Sequence, residues 1–96
     1  MAETVICHAH PDIQNWVHAR TRAKYPGLRQ SFEAACKYAE DKTYWQNTDK
    51  AHAFVEYVPE KHPFTYSMIL KIRIEEPYIT VIGVALLREK CKFVVK

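Results

Sequence analysis

Glycine is scarce in this sequence, with only two among 96 residues. Loops that cradle nucleotide phosphates need several closely spaced glycines, so this scarcity excludes that kind of site. The three cysteines form no CxxC pair, which argues against a disulfide framework and favours a reducing, cytoplasmic location. No apolar run approaches the roughly eighteen residues of a membrane span. The N-terminal segment carries Glu3 and no long apolar stretch, so we do not expect a signal peptide.

The signatures of common catalytic and metal sites are also missing. The sequence contains no nucleophile elbow, no HExxH zinc motif and no pair of acids at catalytic spacing. His8 and His10 lie on the same side of an extended segment, but zinc takes four ligands and no spacing rule supplies the others. The sequence therefore favours a protein that has no cofactor and is not an enzyme. If it does catalyse a reaction, we expect a metal-independent endoribonuclease.

The spacing of apolar residues predicts a single domain over 1–96. Hydrophobic residues make up 48% of the chain and charged residues 26%, a globular composition. The predicted elements are a weak strand over 4–8, helices over about 11–24 and 28–41, and strands over 51–58, 64–74, 78–87 and 90–95. We therefore expect an α+β fold. Two N-terminal helices pack on one face of an antiparallel sheet of three to five strands, with a weak first strand and a C-terminal β-meander.

Strand alternation brings a set of reactive side chains to one predicted face. If the even-numbered residues of the 64–74 strand face the core, Lys71 and Arg73 face outward, and the same rule turns His52, Phe54 and Glu56 outward. Cleavage of RNA at its 2′-hydroxyl needs a base, an acid and cations, which Glu, His, Lys and Arg provide. Phe54 could stack on a nucleobase. The competing interpretation is an ordinary solvated sheet face with cross-strand ion pairs.

A second candidate surface lies on the first predicted helix. Between residues 13 and 32 the chain carries no acid, and its basic residues there are His18, Arg20, Arg22, Lys24 and Arg29. Pairs four residues apart form two rows, which we interpret as one basic band. Tyr25 and Trp45 fall in predicted loops and could flank this band as interface anchors. The alternative is a solvated helix face, with the aromatic residues plugging the edge of the core.

The order of elements resembles that of small toxins of the RelE and BrnT type, which belong with the barnase-like ribonucleases. The segment Ser31-Phe32-Glu33-Ala34-Ala35 resembles the start of the second helix in BrnT-type chains. The resemblance implies two helices packed on an antiparallel sheet whose exposed face cleaves RNA. It would assign the cations of that face to Lys71, Arg73 and Arg88.

Three functions follow from these patterns. We expect first a small cytoplasmic binding or inhibitory protein that acts on a protein or a protein–nucleic-acid complex through a basic, aromatic-flanked surface. The alternatives are a ribonuclease toxin and a simple RNA- or DNA-binding module. We expect a protein partner, with nucleic acid as the alternative and no membrane. A homodimer would fit if an edge strand is exposed.

Overall fold

Two helices and a five-stranded sheet make up the fold, as a computed structural model describes it for residues 6–41, 51–59, 66–75, 77–87 and 91–95. In chain order the elements are β1 (Ile6–Ala9), α1 (Pro11–Ala23), α2 (Leu28–Glu40), β2 (His52–Tyr57), β3 (Met68–Glu75), β4 (Tyr78–Leu86) and β5 (Cys91–Val94). The predicted α+β class is confirmed, with both helices preceding the meander. The predicted start of the third strand, at residues 64 and 65, lies outside the described residues.

The sheet is mixed, since one of its strands runs parallel to its neighbour. β2, β3, β4 and β5 form the antiparallel meander that the short connections predicted. β1 pairs in parallel with the first half of β4, while β5 pairs with its second half. β1 and β5 therefore share one edge of β4, and β2 forms the opposite edge of the sheet. β4 therefore has partners on both sides and is central to the sheet.

A β-bulge explains why the core-facing residues of β4 fall at both odd and even positions. Lys71 pairs with Gly83, whereas its neighbour Ile72 pairs with Val81, so Ile82 has no partner on β3. The extra residue moves the core-facing positions of β4 from odd to even numbers at that point. Thr80, on the opposite face of β4, is also buried, although neither helix packs there.

Local chemistry sets the ends of both helices. His10 is the N-cap of α1, because its Nδ1 accepts a hydrogen bond from the backbone N–H of Asp12 at 3.1 Å. Pro11 occupies the first turn, where no backbone donor is required. Gly27, with a φ of 86°, takes the left-handed conformation that turns the chain into α2. Asp12 lies in the first turn, where its negative charge interacts favourably with the helix dipole.

The core lies between the helices and one face of the sheet. Ile13 and Val17 of α1 and Leu28, Phe32 and Ala35 of α2 are buried there. From the sheet come Val55, Met68, Leu70, Ile72, Ile79, Val81, Val84 and Leu86. Because both helices pack on this face, the side chains on the other face of the sheet remain available for function.

Candidate functional site

The face of the sheet that points away from the helices carries most of the polar side chains of the strands. We call it the open sheet face. Its members are Ile6, His8, His52, Phe54, Glu56, Ile69, Lys71, Arg73, Glu75, Tyr78, Thr80, Lys92 and Val94. On β2 these residues are exposed and alternate with less exposed ones, as the sequence predicted. Neither α1 nor α2 packs on this face.

The register of the strands brings together all four candidate catalytic residues. His52 lies opposite Arg73 and Phe54 lies opposite Lys71 on the neighbouring strand. Glu56 faces Ile69, so it is only a diagonal neighbour of Lys71. The predicted meeting of these groups on one face is therefore found, although the acid does not directly oppose a cation.

One row of polar residues crosses four strands of the open sheet face. Strand pairing places His8 beside Thr80, Thr80 beside Arg73, and Arg73 beside His52. A basic guanidinium and a hydroxyl thus lie between two imidazoles. Neighbouring strands are about 4.8 Å apart, so the row extends over about 14 Å.

A chain of hydrogen bonds holds three of the four residues of this row in place. Thr80 Oγ1 donates to Glu75 Oε1 at 3.0 Å, and Arg73 Nε donates to the same oxygen at 3.1 Å. His8 Nε2 lies 2.7 Å from Thr80 Oγ1. Because the hydroxyl proton of Thr80 is given to the carboxylate, Nε2 of His8 must be the donor in that bond. The Nδ1 atom of His8 is then the free acceptor when the ring is neutral.

The carboxylate of Glu75 is held in its charged form. Hydrogen bonds from the Arg73 guanidinium and from the Thr80 hydroxyl lower the pKa of Glu75, against the opposing effect of desolvation. The positive charge of Arg73 acts in the same direction as the hydrogen bonds. Glu75 therefore orients Thr80 and Arg73 as an anion at neutral pH.

Replacing Glu75 by glutamine tests this network through the pH dependence of stability. A carboxylate whose pKa is lowered by folding stabilises the protein above its unfolded pKa of about 4.3, and this contribution is lost as the pH falls through the folded value. We expect the wild type to exceed Glu75→Gln in free energy of unfolding at pH 7, and the difference to shrink below about pH 4. Urea unfolding across this pH range measures it. Glu56→Gln, which removes an acid facing Ile69, is the matched control and should change stability less.

Aromatic rings on the open sheet face add stacking surfaces. The rings of His8 and Tyr78 stack with their centroids 5.1 Å apart and their planes 20° from parallel. Phe54 is 66% exposed, which is unusual for a phenylalanine side chain.

Gly83 lies between Lys71 and Val94, where an added Cβ would come within 3.0 Å of Lys71 Cβ. Because Gly83 has no side chain, Lys71 and Val94 can lie close together on this face.

The basic band predicted on α1 is not one continuous patch. Residues two apart on a helix lie about 200° apart around its axis, so the two rows point to different sides. His18 lines a cleft beside β1 and α2. Arg20 instead stacks over Trp16 at 5.5 Å, and Trp16 in turn stacks on Phe93 of β5. The exposed residues His18 and Arg22 therefore belong to one side of α1, and Arg20 and Lys24 to another.

Two residues predicted to extend or flank that band, Tyr25 and Arg29, do not form part of an exposed binding surface on α1. Tyr25 is only 5% exposed and packs edge-on against Tyr66, so it is a core residue and not an interface anchor. Arg29 forms an ion pair with Glu33 at 3.2 Å, one turn along α2. Trp45 and Arg88 lie outside the described residues. Among the described residues, α1 thus offers exposed cations without an exposed aromatic anchor from this predicted set.

Sequence reasoning missed His8, Thr80, Glu75 and Tyr78 as members of the site. The sequence pairs His8 with His10 as metal-ligand candidates, but His8 contacts Thr80 and His10 accepts from the backbone of Asp12. Within the described part of the chain, no group of three or more metal-ligating side chains comes together. The only local hint in the sequence is that Thr80 places a hydroxyl group inside the otherwise apolar run of β4.

No protein-family model, curated protein or solved structure matches this chain. Neither of the two described helices has the length and apolar character needed to cross a membrane.

Proposed function

We propose that this chain is a small cytoplasmic binding protein that holds a single-stranded nucleic acid on its open sheet face. The observation that carries the proposal is the exposed ring of Phe54 directly opposite Lys71, on a sheet face that neither helix covers. Single-stranded nucleic acids bind where aromatic rings stack on bases and cations contact the phosphates. Both groups are available at this position.

A second stacking platform supports the same proposal. The stacked rings of His8 and Tyr78 lie on the open sheet face beside the Arg73–Glu75 ion pair. Strand geometry separates Phe54 from Tyr78 by two strands and four residues, about 16 Å. That separation is too long for neighbouring bases, so we expect a binding site of several nucleotides. Lys71, Arg73 and Lys92 are the cations available to the backbone that crosses it.

A charge-reversal experiment tests the proposal against the α1 surface. We expect the full chain to bind a fluorescein-labelled single strand with an affinity that falls as salt rises, since each neutralised phosphate adds about −0.7 to the log–log slope. Lys71→Glu with Lys92→Glu should weaken binding and make the slope shallower by about 1.4. Arg20→Glu with Arg22→Glu makes the same change in net charge on α1, and is the matched control.

The outcomes of this experiment separate the candidate functions. Loss of binding in the open-face variant alone supports the proposal. Loss in the α1 variant alone, or no binding by the wild type to any RNA or DNA strand, contradicts it. If the wild type binds no RNA or DNA strand, binding of a protein partner through α1 becomes the leading candidate function.

Cleavage of the bound strand is a second candidate function, which the hydrogen-bonded row favours. With Nε2 of His8 donating to Thr80, Nδ1 can accept the proton of a ribose 2′-hydroxyl as that oxygen attacks the adjacent phosphorus. Arg73 would stabilise the negative charge of the phosphorane. A solvent water would protonate the leaving 5′-oxygen, because His52 lies three strand spacings from His8, about 14 Å along the row. The products would be a 2′,3′-cyclic phosphate and a free 5′-hydroxyl.

End-labelled RNA and DNA of the same sequence test this second function. Cleavage of the RNA alone, lost in His8→Asn while binding persists, supports it. If the RNA stays intact at saturating wild-type protein, the cleavage hypothesis is wrong and binding alone remains as the proposed function.

A further inference from the structure

A cleft on the helix side of the sheet brings two cysteines together. The cleft has a volume of about 560 Å³ and lies between β1, α1 and α2. Cys7 of β1 and Cys36 of α2 are both in its wall, and both are partly exposed. Cys7 points to the side of the sheet opposite His8, so this cleft is separate from the open sheet face.

A backbone hydrogen bond places Cys7 against the last turn of α2. The N–H of Cys7 donates to Glu40 Oε2 at 2.9 Å. Glu40 lies four residues after Cys36, and residues at that spacing are neighbours on a helix surface. Cys7 and Cys36 also line the same cleft from β1 and α2. The hydrogen bond to Glu40 therefore holds β1 against the part of α2 that carries Cys36.

The surroundings of Cys36 keep its thiol protonated in the reduced protein. The hydrogen bond with Cys7, burial, and the negative charges of Glu40 and Glu33 all raise the pKa of Cys36. Cys36 is therefore suited to the second step of an exchange and not to the first attack.

We propose that Cys7 and Cys36 form a reversible intramolecular disulfide when the protein meets a low-molecular-weight disulfide such as oxidised glutathione. The thiolate of Cys7 attacks one sulfur of glutathione disulfide, which releases one glutathione thiolate and leaves a mixed disulfide on Cys7. That glutathione thiolate takes up the proton of Cys36. The sulfur of Cys36 then attacks the sulfur of Cys7 and releases a second glutathione. Two protein thiols are oxidised to one S–S bond, and one glutathione disulfide is reduced to two thiols.

The disulfide would tie β1 to α2 across the segment that contains α1. A bond between positions this far apart in sequence restricts the unfolded chain, and we expect the melting temperature to rise by on the order of 10 °C. This expectation does not depend on the function of the open sheet face.

Thiol counting and peptide mapping test the proposal on the full chain. The protein is incubated with oxidised glutathione, alkylated, digested without reduction and mapped by mass spectrometry. We expect the wild type to lose two thiols, to yield a linked Cys7–Cys36 peptide and to recover its thiols with dithiothreitol. Cys91→Ser, which leaves both proposed partners in place, is the matched control and should behave in the same way.

Variants of the two proposed partners complete the test. Cys7→Ser and Cys36→Ser should form no internal disulfide and show no rise in melting temperature with oxidised glutathione. Retention of all three thiols by the wild type, or a linked peptide that contains Cys91, would overturn the proposal. The wild-type peptide map alone decides the matter if a serine variant does not fold.

Discussion

Replacement of Phe54 by alanine is expected to weaken binding of a single-stranded oligonucleotide by about 5- to 150-fold. Stacking of one base on an aromatic side chain contributes about 1–3 kcal/mol, and each 1.4 kcal/mol is tenfold in affinity. The ring is 66% exposed and makes little use of its apolar area within the fold, so its removal should leave stability almost unchanged. Fluorescence anisotropy titration measures the affinity, and thermal unfolding checks the stability.

The control for Phe54 is an exposed aromatic residue on the other side of the molecule. Tyr38 of α2 is 39% exposed and packs beside Tyr57 on the helix side of the sheet. Tyr38→Ala should retain the wild-type affinity even if it lowers stability. Equal loss of affinity in the two variants would show that the ring of Phe54 has no direct role.

Replacement of Leu70 by alanine is expected to destabilise the fold by about 2–5 kcal/mol. Leu70 is fully buried at the centre of β3, between Val55 of β2 and Val84 of β4. Truncation of this side chain leaves a cavity between β2 and β4. Each kcal/mol lowers the melting temperature of a domain of this size by about 4–8 °C, so the effect is readily seen by thermal or urea unfolding.

Ile69 provides the matched control for Leu70 on the same strand. Its side chain is partly exposed and lies on the open sheet face, opposite Glu56. Ile69→Ala removes a branched four-carbon side chain of the same composition but opens no cavity between the sheet and the helices. We expect it to cost clearly less stability than Leu70→Ala. Equal costs would mean that the two faces of β3 are buried alike, which contradicts the open sheet face.

Alternation within the strands was enough to predict half of the candidate site. Period-two patterns assign each residue of β2 and β3 to a face, and so His52, Phe54, Lys71 and Arg73 were correctly grouped. The helices were likewise readable from their apolar spacing and from the Pro and Gly residues that bound them. These signals are local, and they do not depend on which strands become neighbours.

The rest of the site depends on the pairing of β1 with β4, which no local sequence pattern predicts. His8 reaches Thr80 only because β1 pairs in parallel with β4, over a separation of 72 residues. The period-two rule gives the face of a residue but not its partner strand. Thr80 was also hard to single out because β4 is apolar at both odd and even positions, and the bulge at Ile82 is what brings both sets of positions to the core. The placement of Cys7 and Cys36 in one cleft was missed for the same reason, since it too requires the position of β1.

Surface character on α1 was harder to predict than the position of the helix. Tyr25 follows the helix at a Pro-Gly turn, where an exposed aromatic was expected, but Tyr66 packs against its ring and buries it. Basic residues two positions apart look adjacent in the sequence, yet the helix turns them to different sides. The charge of a segment therefore did not define a surface until the packing of its neighbours was known.

The most direct test of the central claim is a titration of the isotopically labelled full chain with a single-stranded oligonucleotide, followed by the backbone amide signals. We predict that the signals that shift or broaden cluster on β2, β3 and β4, around Phe54, Lys71 and Arg73. Changes that cluster on α1, or spectra that do not change at saturating oligonucleotide, would contradict the assignment of the open sheet face as the binding surface.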